Sequence, residues 1–489
     1  MVNKQMSFED MPVEVGPVFE GQRIRGPETY VELGGPKQEQ KFELVRVIPA
    51  DDIVDGQVTI VGPDISDVQP ADDKEGARLP WGFVIEMAGE KLEEDLESVL
   101  ERRIHEFSNY IEGFMHLNQR YDVWLRVSRK AVAKGLTSFS TIGTILIRLF
   151  KAELPIVEKA QVTIYTDKEQ MQPVYENAME IYKARDAKVR GMSDETVDNF
   201  FGCVLCQSFA PTHVCIVTAE RTGLCGAINW FDARASARVD PKGPNFMVDK
   251  GTLIDERLGE YSGVNDVLNK RSLGEVKRVC LYSAMESPHT SCGCFEAIVF
   301  AIPEIGGMGI VDRNYKGAAI NGLPFSTMAN QTGGGKQVAG FHGIAIEYMR
   351  SKKFLRADGG WNTIAWLPSS VKNRVKESIP AELVDKIATE QDVTDLDALS
   401  KFLKDKGHPL AAKMAAIETP KEGAKSEALA EAGEMGMAQA GGFPVGTMQM
   451  AIPGAGGGMG FTVILKNAKI HAEKVIIKRI DSGPAAKKK

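Results

Sequence analysis

All seven cysteines of this 489-residue chain lie between Cys203 and Cys294, about a fifth of its length. Random scatter would place all seven in such a window roughly a few times in ten thousand, so the clustering has a cause. A disulfide framework belongs to small secreted domains, and this chain is long enough for about three ordinary domains with a large apolar core. Hydrophobic residues make up 43% and charged residues 26%, the balance of a soluble globular protein. There is no run of 18 apolar residues, and the N-terminus MVNKQMSFEDMPVE lacks a secretory signal pattern. The chain is therefore expected in the cytoplasm with its thiols reduced, which leaves metal binding as the common cause of the cluster. A net charge of −7 and a pI near 5.7 give no basic footprint for nucleic acid.

Apolar, β-branched runs at Phe42–Ile48 and Val58–Val61 read as buried strands, and Val162–Tyr165 as another. Apolar residues recur at spacings of three and four from Leu92 to Phe114, which predicts one long amphipathic helix. The charges Glu93, Glu94, Asp95 and Glu97 read as ordinary helix-start acids on it. A helix is expected over Val174–Val189 with Asp167 as cap, strands at Val279–Tyr282 and Ala297–Ile302, and a helix near Ala381–Leu403. Ten glycines and five methionines between Gly433 and Gly460 read as a linker, and Phe461–Ile480 as strand-like. The expected fold is α/β and α+β multidomain. Residues 1–196 would form a mixed-sheet α/β domain and 197–408 an α+β domain carrying the cysteines. A Gly/Met/Ala-rich flexible linker over 409–460 and a short strand-like element with a basic tail over 461–489 would follow.

Cys203, Cys206, Cys215 and Cys225 are spaced C-x2-C-x8-C-x9-C. A C-x2-C pair lets two thiolates from one tight turn reach the same metal, and Gly202 and Gly226 let the backbone approach. Four thiolates suit a structural zinc ion or a [4Fe–4S] cluster. Zinc ribbons usually repeat the C-x2-C knuckle and this chain does not, which favours iron–sulfur. The second group, Cys292–Gly293–Cys294, offers two thiolates and two backbone nitrogens in one plane, with no side chain at Gly293 to obstruct a metal. Square-planar N2S2 ligation is a preference of Ni(II) and Cu(II), not of zinc. The alternative is a turn holding two small buried cysteines, and Cys280 in RVCLYS reads as such a buried strand residue. His213 and His289, beside cysteines, read as hydrogen-bonding or structural residues, because six thiolates already complete the sites. Thr332–Gln337 (TGGGKQ) fails the phosphate-loop pattern and reads as a Gly-rich turn near the metal.

FFGCVLCQSFAPTHVC, LCGAINWFDARA, PHTSCGCFE and FSTMANQTGGGKQ, with VELGGPK, DLESVLERRIH and MHLNQRYDVWLRVS, resemble acetyl-CoA synthase, the beta-subunit family of the archaeal acetyl-CoA decarbonylase/synthase complex. The resemblance covers roughly residues 15–410. It implies that 197–408 bears an A-cluster. Cys203, Cys206, Cys215 and Cys225 would hold its [4Fe–4S] unit, and Cys206, Cys292 and Cys294 a proximal nickel. Cys292 and Cys294 would also bind a distal nickel, together with the amide nitrogens of Gly293 and Cys294. The resemblance further implies a corrinoid iron–sulfur protein as methyl donor, CO dehydrogenase subunits as partners and coenzyme A as substrate, with acetyl-CoA made or cleaved. Bacterial relatives carry a further N-terminal domain ahead of the point where this sequence begins. Phe209, between two cluster ligands, would shape access to the proximal nickel. Arg120, Trp124 and Arg126 are candidates for the phosphates and adenine of coenzyme A. The competing readings are an electron-transfer module, which leaves Cys-Gly-Cys unexplained, and a zinc-stabilised structural protein of a larger complex.

Overall fold

The computed structural model describes residues 8–418 apart from positions 71 and 208. The linker and terminal element expected beyond 418 lie outside the described residues. The chain is mixed α/β, built on several small sheets.

Two four-stranded sheets form the first part. One orders Ala77–Leu79, Thr29–Gly34, Asp122–Ser128 and Phe114–Gln119, joined by one parallel and two antiparallel pairings. The other orders Lys41–Val47, Trp81–Ala88, Lys159–Tyr165 and Val58–Val61, with parallel outer pairings around an antiparallel centre. The strands expected at Phe42–Ile48, Val58–Val61 and Val162–Tyr165 are thus present. Asp167 caps the helix Lys168–Ala187 by accepting from Gln170 N at 2.9 Å; that helix begins earlier than expected and continues through Pro173.

The long helix expected over Leu92–Phe114 is shorter. A 3-10 turn, Glu94–Leu96, leads into the helix Glu97–Ser108, and Phe114 already opens a strand. Asn109 ends the helix: its amide donates to the carbonyls of His105 and His116 at 2.9 and 3.1 Å, bending the chain back. Gly113 completes the reversal at φ +79°, a conformation that favours glycine. Ile111 and Phe114 are buried as the helical pattern requires, but by a turn and a strand.

Glu97 is not a solvated helix-start acid. It and Glu101 are buried, and both pair with the buried Arg185. Glu97 also accepts from Val47 N at 2.7 Å, which ties the helix to the second sheet. Arg185→Met would leave the buried Glu101 without its ion pair and Glu97 with Arg46 alone. It is expected to cost about 3–5 kcal/mol, measured as a lower denaturation midpoint of the metal-free chain.

The second part carries a three-stranded antiparallel sheet, Cys215–Val217, Asn199–Cys203 and Asn245–Asp249, and a four-stranded one, Phe341–Ile344, Ala297–Ile302, Gly307–Asp312 and Ile364–Trp366. Val279–Tyr282 is no strand. Its amides bond to loops instead, Cys280 N to Ser287 O at 2.9 Å and Tyr282 N to Leu258 O at 3.0 Å, so Cys280 is a buried loop residue. The helix expected near Ala381–Leu403 is confined to Leu396–Asp405, where Asp395 accepts from Ala398 N at 2.8 Å. The segment expected to be a linker from residue 409 instead begins with the helix Leu410–Glu418, whose Leu410 and Met414 are buried. No helix among the described residues is long and apolar enough to cross a membrane.

Candidate metal centre

The two cysteine groups, far apart in sequence, meet. Cys203 ends the strand Asn199–Cys203, and its antiparallel register partner is Cys215. Gly202 serves packing here, since a Cβ would run into the Phe246 ring. Cys206 lies in the following turn, where its carbonyl accepts from Phe209 N and Ala210 N at 3.1 and 3.0 Å. Cys225 precedes Gly226, which turns the chain at φ +72° and leaves no room for a Cβ beside Glu296. Cys203, Cys206, Cys215 and Cys225 all line one small buried cavity, and Cys292 from the second group lines it too.

Glu296 N donates to Leu224 O at 3.1 Å and clamps the Cys225 turn to the Cys292–Cys294 segment. The sulfurs of Cys206, Cys292 and Cys294 lie within 4.8 Å of one another. Gly293 sits at φ +147° with open space where a Cβ would stand, so glycine is needed there for its backbone conformation rather than for room.

The electrostatics suit cations. Burial pushes the Cys203 thiol up to about 11 and raises Cys215 well above the ordinary range. Cys206 is raised by its hydrogen bonds with Cys292 and Cys294 and by burial. Cys294 is held well below the thiol range by hydrogen bonds from Cys206 and Cys292. Most of these thiols therefore keep their protons in the bare protein, and a bound cation would displace them. Arg102, from the helix Glu97–Ser108, is buried, donates to Asn118 O at 2.6 Å and reaches to 3.5 Å from Cys206 Sγ. Among the described residues no carboxylate lies within ion-pair distance of it. The groups facing it are the sulfurs of Cys294, Cys206 and Cys225. One turn on, His105 stands 3.2 Å from His116 (Nδ1 to Nδ1), and His116 Nε2 lies 2.6 Å from Glu43. Burial and the Arg102 charge pull His105 down to about 4, so its ring is neutral.

A cavity of about 600 Å3 opens on Cys292, Gly293 and Cys294. Phe209 and His105 stand at one wall with ring centroids 5.9 Å apart, and Trp124, Arg23, Arg313 and Lys336 also line it. The Gly-rich turn 332–337 forms a further wall, with Gly334 N donating to Cys292 O at 2.6 Å.

Arg120, Trp124 and Arg126 do not form one site. Arg120 points away and is buried against Asp186 at 3.4 Å and the Ala227 carbonyl. Arg126 is committed to Glu32 at 2.8 Å, and its guanidinium lies 4.2 Å from the Trp124 ring centroid. Trp124 does reach the cavity, and its buried indole N–H has no partner among the described residues. Gly35 of VELGGPK makes room for that ring. His213 and His289 hold backbone and side chains: His213 Nδ1 lies 2.9 Å from Thr290 Oγ1, and His289 Nε2 accepts from Ile216 N at 2.9 Å. Arg102, His105 and Arg313 are site residues that sequence reasoning missed. The available signal was a charge and a histidine three apart on a helix that also buries Val99, Leu100, Ile104 and Phe107.

Residues 11–171 match the family described as CO dehydrogenase/acetyl-CoA synthase complex beta subunit, and residues 182–417 match the family described as the C-terminal part of the ACS/CODH beta subunit. The acetyl-CoA decarbonylase/synthase complex subunit beta 2 of Methanosarcina thermophila is 52% identical over 96% of this chain and 98% of its own length. The chain belongs to this beta-subunit family. The subunit beta 2 of Methanocaldococcus jannaschii is likewise 52% identical, over 96% of this chain and 97% of its own. A solved C-terminal domain of an acetyl-CoA synthase alpha subunit shares 39% identity over 24% of this chain and 95% of that domain, at a TM-score of 0.23, too low to bear on the fold. Family membership makes this chain a component of a carbon-monoxide-handling complex. The six converging cysteines are a donor set fitting the nickel and iron–sulfur centre that the family implies.

Proposed function

We propose that this chain is an acetyl-CoA synthase. It joins CO, a methyl group carried by a corrinoid iron–sulfur protein and the thiol of coenzyme A, or cleaves acetyl-CoA into them. The observation that carries this reading is the meeting of the Cys206, Cys292 and Cys294 sulfurs within 4.8 Å beside a cavity of substrate size. Cys203, Cys206, Cys215 and Cys225 would hold the [4Fe–4S] unit. Cys206, Cys292 and Cys294 would hold the proximal nickel, and Cys292, Gly293 and Cys294 the distal one. When bound, the metals supply the redox and carbon–carbon bond chemistry.

The protein's own part is shape, charge and exclusion of water. Phe209 and His105 wall the cavity beside the cysteines, and the hydrogen bonds from Glu43 through His116 fix the His105 ring. Arg23 and Lys336 are exposed at the cavity, and no acidic partner lies within ion-pair distance of either among the described residues. They suit the phosphates of coenzyme A, with the Trp124 face for its adenine or pantetheine arm. Arg126 supports that ring from the Glu32 side, and Arg120 takes no part. Lys336→Ala is expected to raise the KM for coenzyme A roughly 10–100-fold, the worth of a hydrogen bond to a charged group, with iron and nickel content unchanged. Division into an N-terminal domain to about 196 and a metal-bearing domain to about 408 is part of the same proposal, as is residence in the cytoplasm.

Elemental analysis tests the reading. Anaerobically purified, nickel-reconstituted protein is expected to hold about two nickel per four iron and to give a CO-dependent paramagnetic signal when reduced. Iron without nickel would favour an electron-transfer module, and stoichiometric zinc alone a structural role.

A further inference from the structure

The Cys292–Gly293–Cys294 tripeptide is gripped at its carbonyl oxygens as well as offered through its sulfurs. Gly334 N donates to the Cys292 carbonyl at 2.6 Å, and Arg313 Nη2 donates to the Gly293 carbonyl at 2.6 Å. These oxygens belong to the two peptide groups whose nitrogens are those of Gly293 and Cys294. When a peptide nitrogen loses its proton to a metal, part of the negative charge passes to the carbonyl oxygen of the same group. A short hydrogen bond therefore stands at each position where that charge would collect, the logic of an oxyanion hole.

Both donors are built for the contact. Arg313 follows the strand Gly307–Asp312, and no carboxylate lies within ion-pair distance of it among the described residues. Its guanidinium is steadied over the Phe325 ring at 4.9 Å, and its charge is aimed at Gly293 O. The Gly334 amide reaches Cys292 O only because its neighbours are glycines. A Cβ on Gly333 would stand 2.8 Å from Ala329 O and 3.1 Å from Cys292 O, and Gly334 itself sits at φ +79°. The Cys294 nitrogen already faces the sulfurs, donating to Cys292 Sγ at 3.2 Å.

We propose that Arg313 and the Gly334 amide are a metal-selecting pair, which favours nickel(II) over zinc(II) at Cys292–Gly293–Cys294 by stabilising the deprotonated amides of Gly293 and Cys294. At the two amides the N–H bonds would break, two nickel–nitrogen bonds would form and two protons would leave to solvent. The sulfurs would bind either metal, losing any thiol proton to solvent, with no change in oxidation state. Zinc, preferring a tetrahedron of thiolates and imidazoles, leaves those amides protonated and gains little from donors at their oxygens. The inference rests on the metal centre proposed above.

The test uses the full chain, loaded with iron anaerobically and given equimolar Ni(II) and Zn(II). It reads metal content and nickel-edge X-ray absorption. Arg313→Met is expected to shift the nickel-to-zinc ratio about 10-fold or more toward zinc and to remove the nickel–nitrogen scattering, with iron content unchanged. A parent-like ratio with nickel–nitrogen scattering intact in Arg313→Met would overturn the inference. Should that variant not fold, Arg313→Gln decides on the same readouts: a ratio moved toward zinc supports the pair, and a parent-like one overturns it. A parent protein that takes up no nickel would instead sink the metal-centre reading, so the two failures are told apart.

Discussion

Cys292→Ala is expected to abolish nickel loading and acetyl transfer while leaving the iron–sulfur absorption largely intact. Cys292 lines both the cavity shared by Cys203, Cys206, Cys215 and Cys225 and the larger cavity, so it is the residue that joins the two proposed sites. Its loss leaves two sulfurs where three stand within 4.8 Å. It also removes one of the two sulfurs of the Cys-Gly-Cys tripeptide. The contribution of a catalytic metal is several kcal/mol of transition-state stabilisation, so activity should fall by ~10³-fold or more. The fold should survive, because Gly334 still donates to the Cys292 carbonyl and Glu296 still clamps Leu224. Nickel and iron content with single-turnover acetyl transfer would check this. Full synthase activity in the variant would refute the assignment of Cys292.

Cys215→Ala is expected to act earlier and more broadly. Cys215 is the register partner of Cys203 and accepts from Leu224 N at 3.4 Å, so it ties the strand pair to the Cys225 turn. Without it the iron–sulfur unit would lose a ligand. Iron should fall to a small fraction of the parent's, and nickel with it, because Cys206 would serve both proposed sites. Binding energy at a buried metal site is also folding energy, so the variant should unfold at lower denaturant, by several kcal/mol. Cys280→Ala is the control: Cys280 is absent from both cysteine-lined cavities, and its loss should leave metal content unchanged. A Cys215→Ala protein with the parent's iron content would remove Cys215 from the ligand set.

Where a local rule ruled, sequence reading was sufficient. Asp167 caps its helix because a side-chain oxygen three residues before a free amide is a local geometry. Ala297–Ile302 is a strand at the expected bounds because its apolar run is bounded by turns. The misses share a cause. Leu96, Val99, Leu100, Ile104, Phe107, Ile111 and Phe114 of the Leu92–Phe114 pattern are all buried, yet Asn109 and Gly113 turn the chain within it. Val279–Tyr282 has strand composition but finds its partners in loops. Glu97 looked like a solvated acid until Arg185, distant in sequence, paired with it.

The amino-acid sequence by itself determined the chemistry on offer: six cysteines in two spacings, a glycine between two of them, and a resemblance that covers most of the chain. Thiolates in a C-x2-C turn and a Cys-Gly-Cys plane carry their ligand preferences in covalent geometry, and that is local. Only the tertiary structure decided which thiols meet and what surrounds them. It brought Cys206 to Cys292 and Cys294, buried Arg102 against them, left Trp124 at the cavity while committing Arg120 elsewhere, and aimed Arg313 and Gly334 at the tripeptide's carbonyls. The physical reason is distance. Each of those contacts joins residues far apart in the chain, and their free energy depends on burial and facing charge, which no local pattern encodes.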